Sequence, residues 1–295
     1  MSLVSEMIRK NFRESDERRD AGLTTPEDIL RYDDLCYGTD PAWQLLDVYR
    51  PKARQGETLP VIVSVHGGGW VYGDKEIYQH YCMNLAQRGF AVVNFTYRLA
   101  PEFKYPAPLE DTNLVFAWVL AHAAEYGFDK HNVFAVGDSA GAHCLGLYAA
   151  LCTNPAYAGR YAFQPPAGFA PRAIALNCGA YKITLDGDPQ SLTRLLMGEY
   201  LPHQGSEEEL ALISVCDHIT PAYPPTFFMT AVDDFLKDDA PLLQHALMKQ
   251  EVPFVFRFYG DSENRLGHVF HCDVKSEAAR QCNDEECAFF RAMCK

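Results

Sequence analysis

The sequence predicts an α/β domain built on a mainly parallel sheet, and three observations carry that expectation. Short β-rich apolar runs alternate with helical patterns along the chain instead of clustering. The runs are almost continuously apolar over about five to seven residues, as strands buried on both faces require. Glycine-rich turns, His66-Gly67-Gly68-Gly69-Trp70 and Gly137-Asp138-Ser139-Ala140-Gly141, lie directly behind two of them.

In chain order, 31–37 and 43–49 are expected to form an antiparallel entry pair at the sheet edge. Strands are expected at 59–65, 90–97, 132–138, 172–179, 226–232 and 253–259. Helical patterns occupy 109–125, 140–152, 238–250 and 276–294. Two stretches stand outside the alternation. Residues 1–28 carry Leu3, Val4, Met7, Ile8 and Phe12 at helical spacing, followed by Thr25-Pro26, which reads as an N-cap and first-turn proline. Residues 181–222 are too long for a plain connection and hold two helix-start signals, Asp188-Pro189 and Ser206-x-x-Glu209. The expectation is a single domain over 1–295, with 1–28 and 181–222 as cap or lid elements over a site.

Composition narrows the classes further. A chain of 295 residues lies within the range of one large α/β domain, and 48% hydrophobic against 22% charged residues exclude a disordered chain. The net charge of −13 repels phosphate backbones and anionic headgroups, so neither nucleic acid nor a membrane surface is expected as a partner. The first twenty residues lack the apolar core of a secretory signal, and the apolar runs are too short to span a bilayer. Ten scattered cysteines without a C-x-x-C pair read as free thiols in a reducing, cytoplasmic setting. A homodimer is left open.

Chemistry concentrates at the turn around Ser139. A serine on a sharp strand-to-helix turn needs small neighbours, which Gly137 and Gly141 supply, and the helix behind it brings free N–H groups to the same place. The glycines after 59–65 permit close approach of backbone N–H groups to a ligand atom. Peptide N–H groups of this glycine run, with the N–H of Ala140, are therefore candidate oxyanion donors. His66 reads as a residue that orders this loop. A serine hydroxyl needs a base, and the base needs a carboxylate to orient it. Downstream, 226–232 runs into Asp233-Asp234, and 253–259 is followed by Gly267-His268-Val269-Phe270-His271, so each role has two candidates.

HGGGW at 66–70, Tyr97-Arg98-Leu99-Ala100-Pro101-Glu102, GDSAG at 137–141, Asp234-Phe235-Leu236-Lys237-Asp238 and Gly267-His268 occur in this order. Together they resemble the hormone-sensitive-lipase-like esterases of the α/β-hydrolase superfamily over roughly residues 60–275. The resemblance implies an α/β-hydrolase fold with a helical cap. It implies Ser139 as nucleophile, Asp234 rather than Asp233 as acid and His268 rather than His271 as base. Gly68, Gly69 and Ala140 correspond to the oxyanion donors, and the 97–102 segment to structural support. Phe235 stands where the family has proline, Ala142 replaces a second glycine, and the loop 260–266 is longer than the family norm.

Other polar residues have plainer readings. Glu110 and Asp111 are expected to favour a helix N-terminus, Asp138 to bond nearby backbone, and glutamates 207–209 to form a solvated face. Trp70, Tyr72 and Tyr181 are candidates for pocket lining or packing. His268, His271 and Cys272 have spacings that metal ligation can use, but a triad accounts for His268 and buried thiols for the rest, so no metal and no organic cofactor is expected. The function expected is hydrolysis of small, short-acyl esters by a serine carboxylesterase, with acetylated or feruloylated saccharides as one candidate substrate. The same scaffold leaves open an amide-directed hydrolase, of the arylformamidase or peptidase kind. It also leaves open a non-catalytic small-ligand receptor, as in the plant gibberellin receptors that resemble this family.

Overall fold

The computed structural model describes residues 3–295. One eight-stranded sheet organises the chain, made of β1 Ile29–Cys36, β2 Leu45–Pro51, β3 Leu59–Val65, β4 Ala91–Phe95, β5 Phe128–Asp138, β6 Ala173–Asn177, β7 Thr226–Ala231 and β8 Phe254–Tyr259. Its order is β1-β2-β4-β3-β5-β6-β7-β8. The pairs β1/β2 and β2/β4 are antiparallel and every later pair is parallel. This is the mainly parallel sheet with an antiparallel entry pair that the sequence predicts.

The helices are α1 Leu3–Asp20, α2 Lys75–Ala86, α3 Ala107–Ala121, α4 Ala123–Tyr126, α5 Ala140–Thr153, α6 Pro155–Ala158, α7 Leu192–Tyr200, α8 Glu207–Leu212, α9 Val215–His218, α10 Ala240–Lys249 and α11 Glu277–Met293. Among the described residues, no helix is long and apolar enough to cross a membrane.

Alternation along the strands builds two apolar layers. Val61, Val63 and Val65 of β3 and Val133 and Ala135 of β5 face one layer, shared with Leu109, Phe116, Leu145, Tyr148 and Leu243 of α3, α5 and α10. Ile62, Phe134 and Val136 face the other, with Tyr81, Met83 and Leu85 of α2 and Cys282, Cys287 and Phe290 of α11. Both faces of the central strands are thus dry, which is why their sequences show no polar alternation. The loops after β3, β5, β7 and β8 leave the same carboxyl edge of the parallel sheet, where ligands bind in folds of this kind.

Local signals hold in part. Ser206 and Glu209 form the expected capping box of α8. The α7 helix starts at Ser191, whose side chain accepts from Arg194 N, and not at Asp188-Pro189. No helix follows Thr25-Pro26; the chain turns there into β1. Asp111 is not a helix-end carboxylate. It lies buried in the second turn of α3 and accepts from the Gln44 amide (2.7 Å), Arg98 N (2.8 Å) and the Arg98 guanidinium (3.0 Å). Glu209 is also buried, accepting from His203 N, Gly205 N and Ser206 N, while Glu207 and Glu208 stay exposed.

Candidate active site

Ser139 sits between β5 and α5 with φ 52° and ψ −119°. A non-glycine residue with positive φ costs roughly 1–3 kcal/mol unless its surroundings hold it. Here Ser139 N donates to Asn177 O (2.9 Å), and Ser139 O accepts from His143 N (3.1 Å) at the start of α5. The flanking glycines are required by contact. A Cβ on Gly137 would lie 2.6 Å from Gly141 O, and one on Gly141 would overlap Val65 O and His66 O. The 66–70 loop turns equally tightly, with Gly68 at φ 118° and Trp70 at φ 63°. A Cβ on Gly68 would overlap Tyr72 O.

The loop that carries Asp233 and Asp234 follows β7. Asp234 Oδ1 accepts from His268 Nδ1 (2.7 Å) and Leu236 N (2.9 Å), and Oδ2 accepts from Thr230 Oγ1 (2.7 Å). Burial alone would raise this carboxyl, but the bonds from His268, Thr230 and Leu236 outweigh it and hold it below the ordinary carboxylate range. Asp233 points elsewhere, pairing with the exposed Arg265 of the 260–266 loop (2.7 Å to Nε), while its N donates to Leu266 O (2.9 Å). His271 is fully buried, edge-on to Tyr81 and 3.6 Å from Cys272 Sγ.

Ser139, His268, Gly68, Gly69 and Ala140 line one cavity of about 570 Å³. Its walls come from both segments that the sequence set apart. Ile8, Phe12, Asp16 and Arg19 belong to α1, and Leu192, Thr193, Leu196 and Met197 to α7. Trp70 and Tyr72 also line it, whereas Tyr181 is buried outside it with its hydroxyl on Leu176 O. Arg9 fixes α1 in place, donating to Val71 O (2.7 Å), Ala100 O (3.0 Å) and both carboxylate oxygens of Glu102. Tyr72 Oη donates to Asp16 (2.8 Å). On the other side, α7 is held by Tyr200 stacked on Trp70 at 4.7 Å and by Lys104 Nζ on Gly198 O and Leu201 O.

Four residues not singled out for the site in the sequence turn out to support it. Tyr78 Oη accepts from Gly67 N (3.0 Å) and donates to Asp138 Oδ2 (2.7 Å), joining the glycine loop to the residue before Ser139. Asp138 therefore bonds a side chain and not backbone. Burial pushes its carboxyl up to about 6 against the lowering pull of Tyr78, His268 and Arg19. His143, one turn along α5, accepts from Trp70 Nε1 (3.3 Å) and donates Nε2–H to Ile213 O (2.9 Å), and burial lowers it to about 4, so it is neutral. Thr230 donates to Asp234 and helps fix that carboxylate. Cys178, buried at φ 48°, brings its sulfur within 4.8 Å of ligand atoms of Asp234 and His268.

His66 is buried against the Tyr97 ring at 4.0 Å, with Nδ1 2.7 Å from Gly67 O, and Tyr97 Oη donates to His66 O (2.9 Å). Both brace the loop as expected. Asp138, His271 and Cys272 bring one atom each within 4.8 Å of one another. Burial there pushes His271 down to about 3 and raises the Cys272 thiol well above its usual value, so both are uncharged at neutral pH.

Residues 46–237 match the BD-FAE family. The chain belongs to that family. As a BD-FAE protein it groups with hormone-sensitive-lipase-like esterases of the α/β-hydrolase superfamily, in agreement with the motifs. The matched stretch contains Ser139 and Asp234 and ends before His268. Esterase LipC of Mycobacterium tuberculosis is 35% identical over 124 residues, covering 42% of this chain and 30% of LipC. The versiconal hemiacetal acetate esterase of Dothistroma septosporum is 29% identical over 223 residues, 70% of this chain and 66% of that enzyme. This BD-FAE chain therefore spans two thirds or less of the length of these curated relatives. Among solved structures, inhibited esterase B from Lactobacillus rhamnosis superposes with a TM-score of 0.88 at 23% identity over 99% of this chain and 97% of that one, which shows the shared fold. The hyperthermophilic esterase of Pyrobaculum calidifontis gives 0.78 at 26% identity over 99% and 92%.

Proposed function

We propose that this chain is a serine carboxylesterase for small, short-acyl esters, a single domain in which 1–28 and 181–222 form a cap over the site. The observation that carries the reading is one cavity holding both a serine on a left-handed strand-to-helix turn and an imidazole whose Nδ1 is committed to a buried carboxylate. With Nδ1 occupied, Nε2 is the nitrogen left to take a proton from Ser139.

Ser139 Oγ attacks the ester carbonyl while His268 accepts its proton, and Asp234 stabilises the imidazolium. The N–H groups of Gly68, Gly69 and Ala140 receive the negative oxygen. Collapse of the tetrahedral intermediate breaks the bond to the alkoxy oxygen, which leaves as alcohol with the proton from His268. Water, deprotonated by the same histidine, then attacks the acyl-enzyme; collapse releases the carboxylic acid and returns the proton to Ser139. The chemistry calls on no metal or organic cofactor. The cavity's volume and the apolar side chains of Ile8, Phe12, Leu192, Leu196 and Met197 favour compact apolar esters over acylated saccharides.

The test is hydrolysis of p-nitrophenyl acetate and butyrate. Ser139→Ala and His268→Ala are each expected to lower turnover roughly 10³- to 10⁶-fold. An inactive wild type refutes the reading. A comparable mechanistic loss in His271→Ala, with His268→Ala active, moves the base by three residues.

A further inference from the structure

We propose that Phe235 is an aromatic shelf for the leaving alcohol, which makes esters of arylmethyl alcohols the preferred substrates of this site. This inference rests on the esterase reading above.

Phe235 takes the position after the acid. Its ring lies 4.2 Å from that of His268, tilted by 41°, and it lines the cavity. Yet it is 70% exposed, far more than a phenylalanine packed into protein. A single exposed apolar residue needs no explanation by itself. The location is what makes this one informative. Two further cavity residues are large, apolar and exposed, Phe12 and Leu192, so the cavity carries uncovered apolar surface beside Phe235. Phe12 also presents its ring edge-on to Tyr72 at 5.7 Å.

Chemistry then selects the occupant. Because His268 Nδ1 is held by Asp234, the leaving oxygen must come within hydrogen-bond reach of Nε2, about 3 Å. The first carbons of the alcohol are thereby brought beside the imidazole, and the ring packed at a tilt against that imidazole is Phe235. The acyl chain is joined to the carbonyl carbon and not to the leaving oxygen, so this contact with Nε2 does not bring it beside the imidazole. An aliphatic alcohol covers part of the Phe235 face. An arylmethyl group covers it and adds the offset or edge-to-face attraction between two rings.

The experiment compares benzyl acetate with cyclohexylmethyl acetate, whose alcohol has a saturated ring of similar size, and with methyl acetate. The wild type is expected to favour the benzyl over the cyclohexylmethyl ester in kcat/KM. In Phe235→Ala the benzyl-to-methyl ratio of kcat/KM falls roughly 3- to 10-fold, mainly through KM, and Phe235→Tyr keeps the wild-type ratio. The proposal is overturned if Phe235→Ala leaves that ratio within about twofold. A parallel fall on all three esters would make Phe235 a shield of the base with no alcohol contact. A wild type inert toward every ester refutes the esterase reading and the shelf with it, whereas active wild type with an unchanged ratio refutes the shelf alone.

Discussion

Removing one buried hydroxyl, in Tyr78→Phe, tests whether the glycine loop and the Ser139 turn are held as a unit. The side chain fits the same space, so the change deletes two hydrogen bonds and little packing. One is accepted from Gly67 N at 3.0 Å and the other donated to the Asp138 carboxylate at 2.7 Å, with Tyr78 and Asp138 both buried. A bond to a charged group contributes about 1.5–3 kcal/mol, and the stranded N–H adds a desolvation cost of about 1–3 kcal/mol. Allowing for partial relaxation, the expected loss is about 2–4 kcal/mol, or a fall in Tm of roughly 5–10 °C.

The penalty also depends on pH. Asp138 is raised in the folded state from 3.8 to about 6, so the folded chain binds more protons than the unfolded one in that window. Stability from this group therefore falls as pH rises. Losing the Tyr78 hydroxyl, which lowers the carboxyl, pushes Asp138 further up and deepens the effect, so Tyr78→Phe should be more destabilised at about pH 8 than at about pH 5. Because Gly67 precedes the proposed oxyanion donors, kcat for p-nitrophenyl butyrate should drop about tenfold, equivalent to roughly 1.4 kcal/mol, with little change in KM. Unfolding curves at the two pH values and steady-state kinetics read these effects. A Tm and kcat both indistinguishable from wild type would refute the coupling.

Asp234→Asn is expected to cut kcat about 10³- to 10⁴-fold by misorienting His268. Asp233→Asn breaks only an exposed pair with Arg265 and should leave kcat within about threefold; the same p-nitrophenyl assay reads both. Glu286, buried in α11 and accepting from Asn177 Nδ2 (2.7 Å) and Tyr81 Oη (3.2 Å), is pushed by burial from 4.5 up to about 7. The folded chain then holds an extra proton between those values, so stability falls with rising pH across that window and is flat above it. Glu286→Gln removes this component, and urea midpoints should show its advantage over wild type growing from about pH 4.5 to 7, to on the order of 2–3 kcal/mol.

What the sequence made legible is what local pattern records. The strands β3 and β5 are apolar almost without interruption because both their faces are covered, and the turns behind them need glycine for reasons of contact that survive in any context. The helix α2 left a weaker trace. Tyr78, Tyr81, Cys82, Met83 and Leu85 are buried around much of its circumference, so no clean polar face marks it, and its clearest local signal is Asp74, whose side chain accepts from Ile77 N.

Polar residues whose partners are distant in sequence were the least legible. His143 meets Trp70 and Ile213, Asp111 meets Gln44, and Tyr78 meets Asp138, each across at least 60 residues. Nothing in a local window distinguishes such groups from caps or solvated side chains. The α1 helix shows both sides of this. Its apolar spacing identifies it, yet Leu3 and Met7 are exposed, and charged residues, Arg9 and Asp16, help fix it over the cavity.

Labelling with a short-chain p-nitrophenyl phosphonate, followed by mass determination of the modified peptide, addresses the central claim most directly. One adduct is expected per chain, on Ser139, with stoichiometric loss of ester hydrolysis, no labelling of Ser139→Ala and much slower labelling of His268→Ala. An adduct on another residue, or ester hydrolysis that persists in Ser139→Ala, would contradict the account.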